Sequence, residues 1–156
     1  MAINASNVTL ETSIRPEVIE QLQSFFRGEV SAVETYGQAL SHESLKPFVE
    51  VLRRCQRSHQ ARVDLLREEI RRLGGEVPQG SGLWGAFAKT VQGAANVLSA
   101  KAAIAVLEEG EDHGMRDYET DIDKLDAATR SFVREYIFPA QLDTHRMVSE
   151  LKHALQ

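Results

Sequence analysis

Glu29 and Glu111 are the residues best placed to do chemistry: each falls on the apolar stripe of a long predicted helix and is followed seven positions later by a tyrosine, Tyr36 or Tyr118. The two segments read RGEVSAVETY and EGEDHGMRDY, share the pattern Gly-Glu-x6-Tyr and lie 82 residues apart, which marks an internal duplication. An ionised carboxylate taken out of water costs several kcal/mol unless a cation or a full set of donors offsets it. Two equivalent inward carboxylates therefore predict one shared site. His59 stands mid-stripe on a second predicted helix, and His145 stands beside the stripe of a fourth. Glu29, His59, Glu111 and His145 together make two carboxylates and two imidazoles from four helices, a donor set suited to a divalent transition metal such as iron, manganese or zinc. Tyr36 and Tyr118 would donate phenol hydrogen bonds to groups around that centre or close the end of its cavity.

The elements that must position these residues follow from periodicity. Pro16, just after Ser13, is a helix start. Val18, Leu22, Phe25, Glu29, Tyr36 and Leu40 then recur at helical steps. A second helix, from near Ser44, carries Leu45, Phe48, Leu52, Cys55, His59, Val63, Leu66, Ile70 and Leu73, and stops at Gly74-Gly75. The third, starting between Asn96 and Ala102, carries Ile104, Glu108, Glu111, Met115, Tyr118, Ile122 and Leu125. The fourth, from about Ala127 to Leu155, shows Val133, Ile137, Gln141, Val148 and Leu151, with Pro139 expected to kink it.

No segment alternates at period two, so the chain reads as all-α. Short connections make the first and second helices antiparallel, and likewise the third and fourth. The stretch from Gly74 to about Val97 is glycine-rich and long enough to cross a bundle, with Leu83, Trp84, Phe87, Val91 and Leu98 forming a short amphipathic helix. The expectation is an up-down-down-up four-helix bundle with one crossover. Trp84 and Phe87 would pin that crossover or mark a dimer contact.

Composition narrows the function classes. With 156 residues, 42% hydrophobic and 26% charged, the chain has the size of a single domain, expected over residues 14–156 behind a loose arm of residues 1–13. The sequence shows no long apolar run and no basic-then-apolar leader, which points to a cytoplasmic protein without membrane contact. A net charge of -5 with interspersed signs, as where Arg67, Arg71 and Arg72 alternate with Glu68 and Glu69, argues against nucleic acid. The one cysteine, Cys55, reads as a small buried hydrophobe.

On Glu29 with Tyr36, Gln56 with His59, the Trp84 crossover, Glu108 to Glu111 with Tyr118, and His145, the chain resembles the ferritin-like superfamily. More closely, it resembles the uncharacterised bacterial four-helix-bundle family DUF2383. The resemblance implies the fold and hardly any activity; an enzyme of this kind would be a metal-dependent oxidoreductase, which the sequence alone does not support. Set against the ferritin-like di-iron pattern, Glu29 and Glu111 match the terminal carboxylates, and His59 and His145 the histidines of two Glu-x-x-His motifs. The bridging glutamates are absent, their places holding Gln56 and Leu142. Two glutamates balance one divalent ion, so a single metal is favoured over a di-metal centre. Glu108 and the Gln56 carbonyl are the remaining donors nearby.

Two readings follow. One is a ferritin-like metal-binding protein with stress or metal-homeostasis duties. The other is a non-catalytic bundle with a decayed metal site, in which each carboxylate pairs with an inward arginine, lysine or tyrosine hydroxyl and the protein works as a homodimer or partner-binding module.

Overall fold

The computed structural model describes residues 15–82 and 99–156, and among these every regular element is helical. The expected N-terminal arm and the crossover residues Leu83, Trp84, Phe87, Val91 and Leu98 lie outside the described residues.

Helix α1 spans Pro16–Leu40 with the proline in its first turn, and it buries Val18, Leu22, Phe25, Glu29 and Tyr36, the stripe expected from spacing. Helix α2 spans Val49–Arg72. It starts later than the stripe suggests because Pro47, which lacks a donor, sits in a 3-10 turn over Glu43–Phe48. At its far end Gly74 adopts φ 79°, and the Gly75 N–H returns to the Ile70 carbonyl at 2.9 Å. A Cβ on Gly75 would stand 2.6 Å from Ile19 Cγ2, so the bare glycine lets this end of α2 close onto the start of α1.

Helix α3 spans Ala100–Asp121 and is capped by Ser99, whose hydroxyl accepts the Ala102 N–H at 3.2 Å. The fourth helical arm has three parts: α4 over Ala127–Phe132, a π turn over Val133–Ile137, and α5 over Phe138–Ala154. Asp126 caps α4 by accepting the Thr129 N–H at 2.8 Å. The expected Pro139 kink takes the form of this π turn. A proline ring collides with the carbonyl four residues back in a regular helix, and the wider turn, closed by the Phe138 N–H on the Val133 carbonyl, opens the backbone ahead of it.

Side-chain contacts fix the helix directions. Gln56 reaches the Val33 carbonyl and Gln23 the Glu76 carbonyl, so α1 and α2 are antiparallel. Glu111 meets Gln141, and Glu108 meets Ser149 and Lys152, so α3 and α5 are antiparallel too. Because Tyr36 meets Glu111 while Tyr118 meets Glu29, α1 runs opposite to α3 and the order is up-down-down-up. Two apolar clusters fill the bundle. One contains Leu22, Phe25, Leu66, Ile70, Tyr118, Val133 and Ile137; the other contains Tyr36, Leu45, Leu52, Cys55, Ile104, Leu107 and Val148. The buried polar residues Glu29, His59, Arg62 and Glu111 lie between them. Among the described residues no helix is long and apolar enough to cross a membrane.

Candidate functional site

Three of the four expected ligands converge. Glu29, His59 and Glu111 are each 3–4% exposed, and the imidazole lies between the carboxylates, with Nδ1 2.7 Å from Glu29 Oε2 and Nε2 2.9 Å from Glu111 Oε1. A neutral ring carries one N–H and satisfies one carboxylate, whereas two such contacts call for both. The doubly protonated ring is the form that donates to both carboxylates. Burial and the Arg62 guanidinium oppose its charge, but Glu111 and Glu29 outweigh them and hold it above the ordinary histidine value.

Arg62 is decisive: it is the inward arginine that the second reading calls for without naming its position. It sits three residues after His59 on the same inward face of α2 and is 1% exposed. Its Nε donates to Glu29 Oε2 at 2.9 Å, and its Nη2 lies 2.5 Å from His59 Nδ1 and 3.4 Å from Thr144 Oγ1. Arg62 Nη2 can only donate, so its approach to Nδ1 suits the tautomer with the proton on Nε2, whereas the Glu29 contact at the same nitrogen suits the imidazolium. With His59 protonated, two negative and two positive side chains give a centre with no net charge. Burial works against ionising Glu29, but Arg62, then His59 and Tyr118, hold its carboxyl down at about 2. Glu111 is lowered likewise, with His59, Tyr36 and Arg62 outweighing burial.

The tyrosines cross between repeats. Tyr118 donates to Glu29 Oε1 at 2.5 Å, and Tyr36 donates to Glu111 Oε1. Burial first, and then the carboxylate each one faces, raises both phenols well above their usual value, so they remain donors. Glu111 Oε2 receives Gln141 Nε2 at 2.9 Å and Thr144 Oγ1 at 2.8 Å. Gly114 leaves room for this amide, since a Cβ there would lie 3.2 Å from Gln141 Nε2. A cavity of about 230 Å³ between α1 and α3 borders the network, with Gly28, Ala32, Gly110 and Gly114 in its wall.

His145 is placed elsewhere. It faces Asp112, with Nε2 2.6 Å from Oδ1, and its side chain is 23% exposed. The repeat gives the physical reason: the 82-residue step that separates Arg62 from Thr144 also carries His59 to Gln141, so position 145 is one residue off the inward face. Gln56 lies at the α1–α2 contact, donating to the Val33 carbonyl at 3.2 Å, and Glu108 pairs with Lys152 on the flank of α3 and α5. Neither touches the network. Cys55 is fully buried, and burial together with the Glu111 charge pushes its thiol up to about 12, which makes it inert as a nucleophile.

In a carboxylate-bridged di-metal bundle, two helices supply one Glu each and the other two supply Glu-x-x-His, all projecting inward. Here the inward i, i+3 pairs are His59 with Arg62 and Gln141 with Thr144. Neither pair carries a carboxylate, and one places a guanidinium where cations would sit. These side chains as folded do not fit a di-metal centre. Among the described residues no group of three or more His, Cys, Asp or Glu has the geometry to hold a metal ion.

No curated protein and no solved structure matches the chain. A family model described as a domain of unknown function, DUF2383, matches residues 17–124, a span that takes in Glu29, Tyr36, His59, Arg62, Glu111 and Tyr118. With its paired Glu-Tyr repeats inside that span and a four-helix bundle built around them, the chain belongs to the DUF2383 family.

Proposed function

We propose that this chain is a non-catalytic helical bundle, ferritin-like in descent, whose centre is closed by protein ion pairs in place of metal and which acts through its surface as a homodimer or partner-binding module. The observation that carries the reading is Arg62, a buried guanidinium on Glu29 that brings the charge of the two carboxylates and His59 to zero. A divalent ion bound beside an intact Arg62 would leave the buried centre with surplus positive charge. With the carboxylates fully engaged, the network serves to fix the four helices in register. Among the described residues, Tyr136 and Leu142 of the fourth arm, exposed to 53% and 43%, are the large apolar side chains open to a surface role.

Elemental analysis of protein purified without chelator, run beside light scattering, tests this. The expected result is no stoichiometric iron, manganese or zinc, with self-association that weakens in a Tyr136→Ser/Leu142→Ser variant. A metal bound stoichiometrically and lost in Glu29→Ala and Glu111→Ala would overturn the reading and restore the resident-metal alternative.

A further inference from the structure

We infer that Arg62 fills the seat of a single divalent transition cation, and that removing its side chain turns Glu29 and His59 into a metal site backed by Glu111 and Thr144. The inference rests on the reading above, that the native centre holds no metal.

The guanidinium marks the seat by what surrounds it. Nη2 lies 2.5 Å from His59 Nδ1 and 3.4 Å from Thr144 Oγ1, while Nε lies 2.9 Å from Glu29 Oε2. An imidazole nitrogen, a carboxylate oxygen and a hydroxyl from three helices thus surround the Nε–Nη2 edge of one guanidinium. The opposite ring nitrogen, Nε2, rests on Glu111 Oε1 at 2.9 Å. A histidine that presents one nitrogen to a cation while a carboxylate holds the other is the usual support for a metal-bound imidazole. Glu111 is itself steadied by Tyr36, Gln141 and Thr144, so the ring is fixed before any metal arrives.

The fit of the guanidinium is also incomplete. Arg62 Nη1 is buried without a hydrogen-bond partner among the described residues, so the native occupant leaves part of its donor capacity unused. Charge favours exchange as well. Two carboxylates balance Arg62 with an imidazolium, and they balance one divalent ion with a neutral imidazole equally well. Zinc and manganese both accept mixed nitrogen and oxygen ligands, which makes them suitable probes.

The experiment compares wild type, Arg62→Ala and Arg62→Ala/Glu29→Gln, each incubated with Zn²⁺ or Mn²⁺, desalted, and measured for metal per chain and for thermal unfolding by circular dichroism. The expected outcome is about one equivalent in Arg62→Ala with a raised unfolding temperature, and none in wild type or the double variant. Adding Glu111→Ala to Arg62→Ala should weaken uptake roughly 10–100-fold. If Arg62→Ala folds only when metal is added, that supports the inference directly. If it stays unfolded in both conditions, Arg62→Gln, which keeps bulk and loses charge, takes its place. An empty wild type together with variants that take up no more metal than it does overturns this inference alone. A loaded wild type overturns the metal-free reading instead.

Discussion

Tyr118 donates to Glu29 Oε1 at 2.5 Å across the α1–α3 interface, whereas the other oxygen of that carboxylate receives both His59 and Arg62. Its counterpart Tyr36 shares Glu111 Oε1 with His59. The two repeat tyrosines are therefore not equivalent. Loss of the Tyr118 hydroxyl leaves a buried charged oxygen without its donor among the described residues, while loss of the Tyr36 hydroxyl leaves one donor in place. A buried acceptor stripped of its partner costs about 1–3 kcal/mol, more for a charged group. Tyr118→Phe should sit at the upper end of that range and Tyr36→Phe at the lower, as read from urea unfolding midpoints at neutral pH.

Acid should weaken the fold through Glu29 and Glu111. Both are held below the usual carboxylate value of 4.5, Glu29 at about 2, so their contribution is complete above about pH 4.5 and is lost as pH falls toward 2. For Glu29 alone this amounts to on the order of 3 kcal/mol. His59 has the opposite sign: raised above 6.5, it contributes fully below that pH and less as pH climbs through its folded value. Stability measured by denaturant titration should peak between about pH 5 and 6.5 and fall on both sides. A Glu29→Gln variant should lose much of the acid limb, and a profile unchanged by that substitution would sink the assignment.

Much of the bundle was legible because periodicity reports burial directly. The stripe through Val18, Leu22, Phe25, Glu29 and Tyr36 is the buried face of α1, and the paired Glu-Tyr segments do meet at the centre. Arg62 was hidden because a lone arginine beside a stripe reads as solvated surface; that it lies three residues after an inward histidine becomes informative once the neighbouring helices are in place. Residue type favours His145 over Gln141 and Thr144 as a ligand, although the repeat distance carries His59 to Gln141 and Arg62 to Thr144. Register decided where residue type misled. The π turn before Pro139 had no signal beyond the proline itself.

That register is open to direct test. Gln141 supplies donors to both the side chain and the backbone carbonyl of Glu111, at 2.9 and 3.1 Å, so Gln141→Leu strips a buried carboxylate of one partner. The expected cost is about 1–3 kcal/mol. His145 makes a partly exposed pair with Asp112, and His145→Gln should change stability by less than about 1 kcal/mol. Equal effects from the two substitutions would place both residues at the centre and contradict the geometry.

The Glu29–Arg62 pair offers the sharpest test of a centre that is neutral as a whole. Removing one member of a buried ion pair leaves its partner's charge without compensation, at a cost of about 3–5 kcal/mol. Glu29→Gln and Arg62→Leu, each measured in chelator so that no ion substitutes for the guanidinium, should therefore both be strongly destabilised. The double variant removes one negative and one positive group together and leaves Glu111 matched with the His59 imidazolium. Its destabilisation should fall well short of the sum of the singles, with a coupling of about 2–3 kcal/mol in a double-mutant cycle. Additive losses would mean that Arg62 contributes through packing alone, and that the charge of Glu29 is balanced by His59 without it.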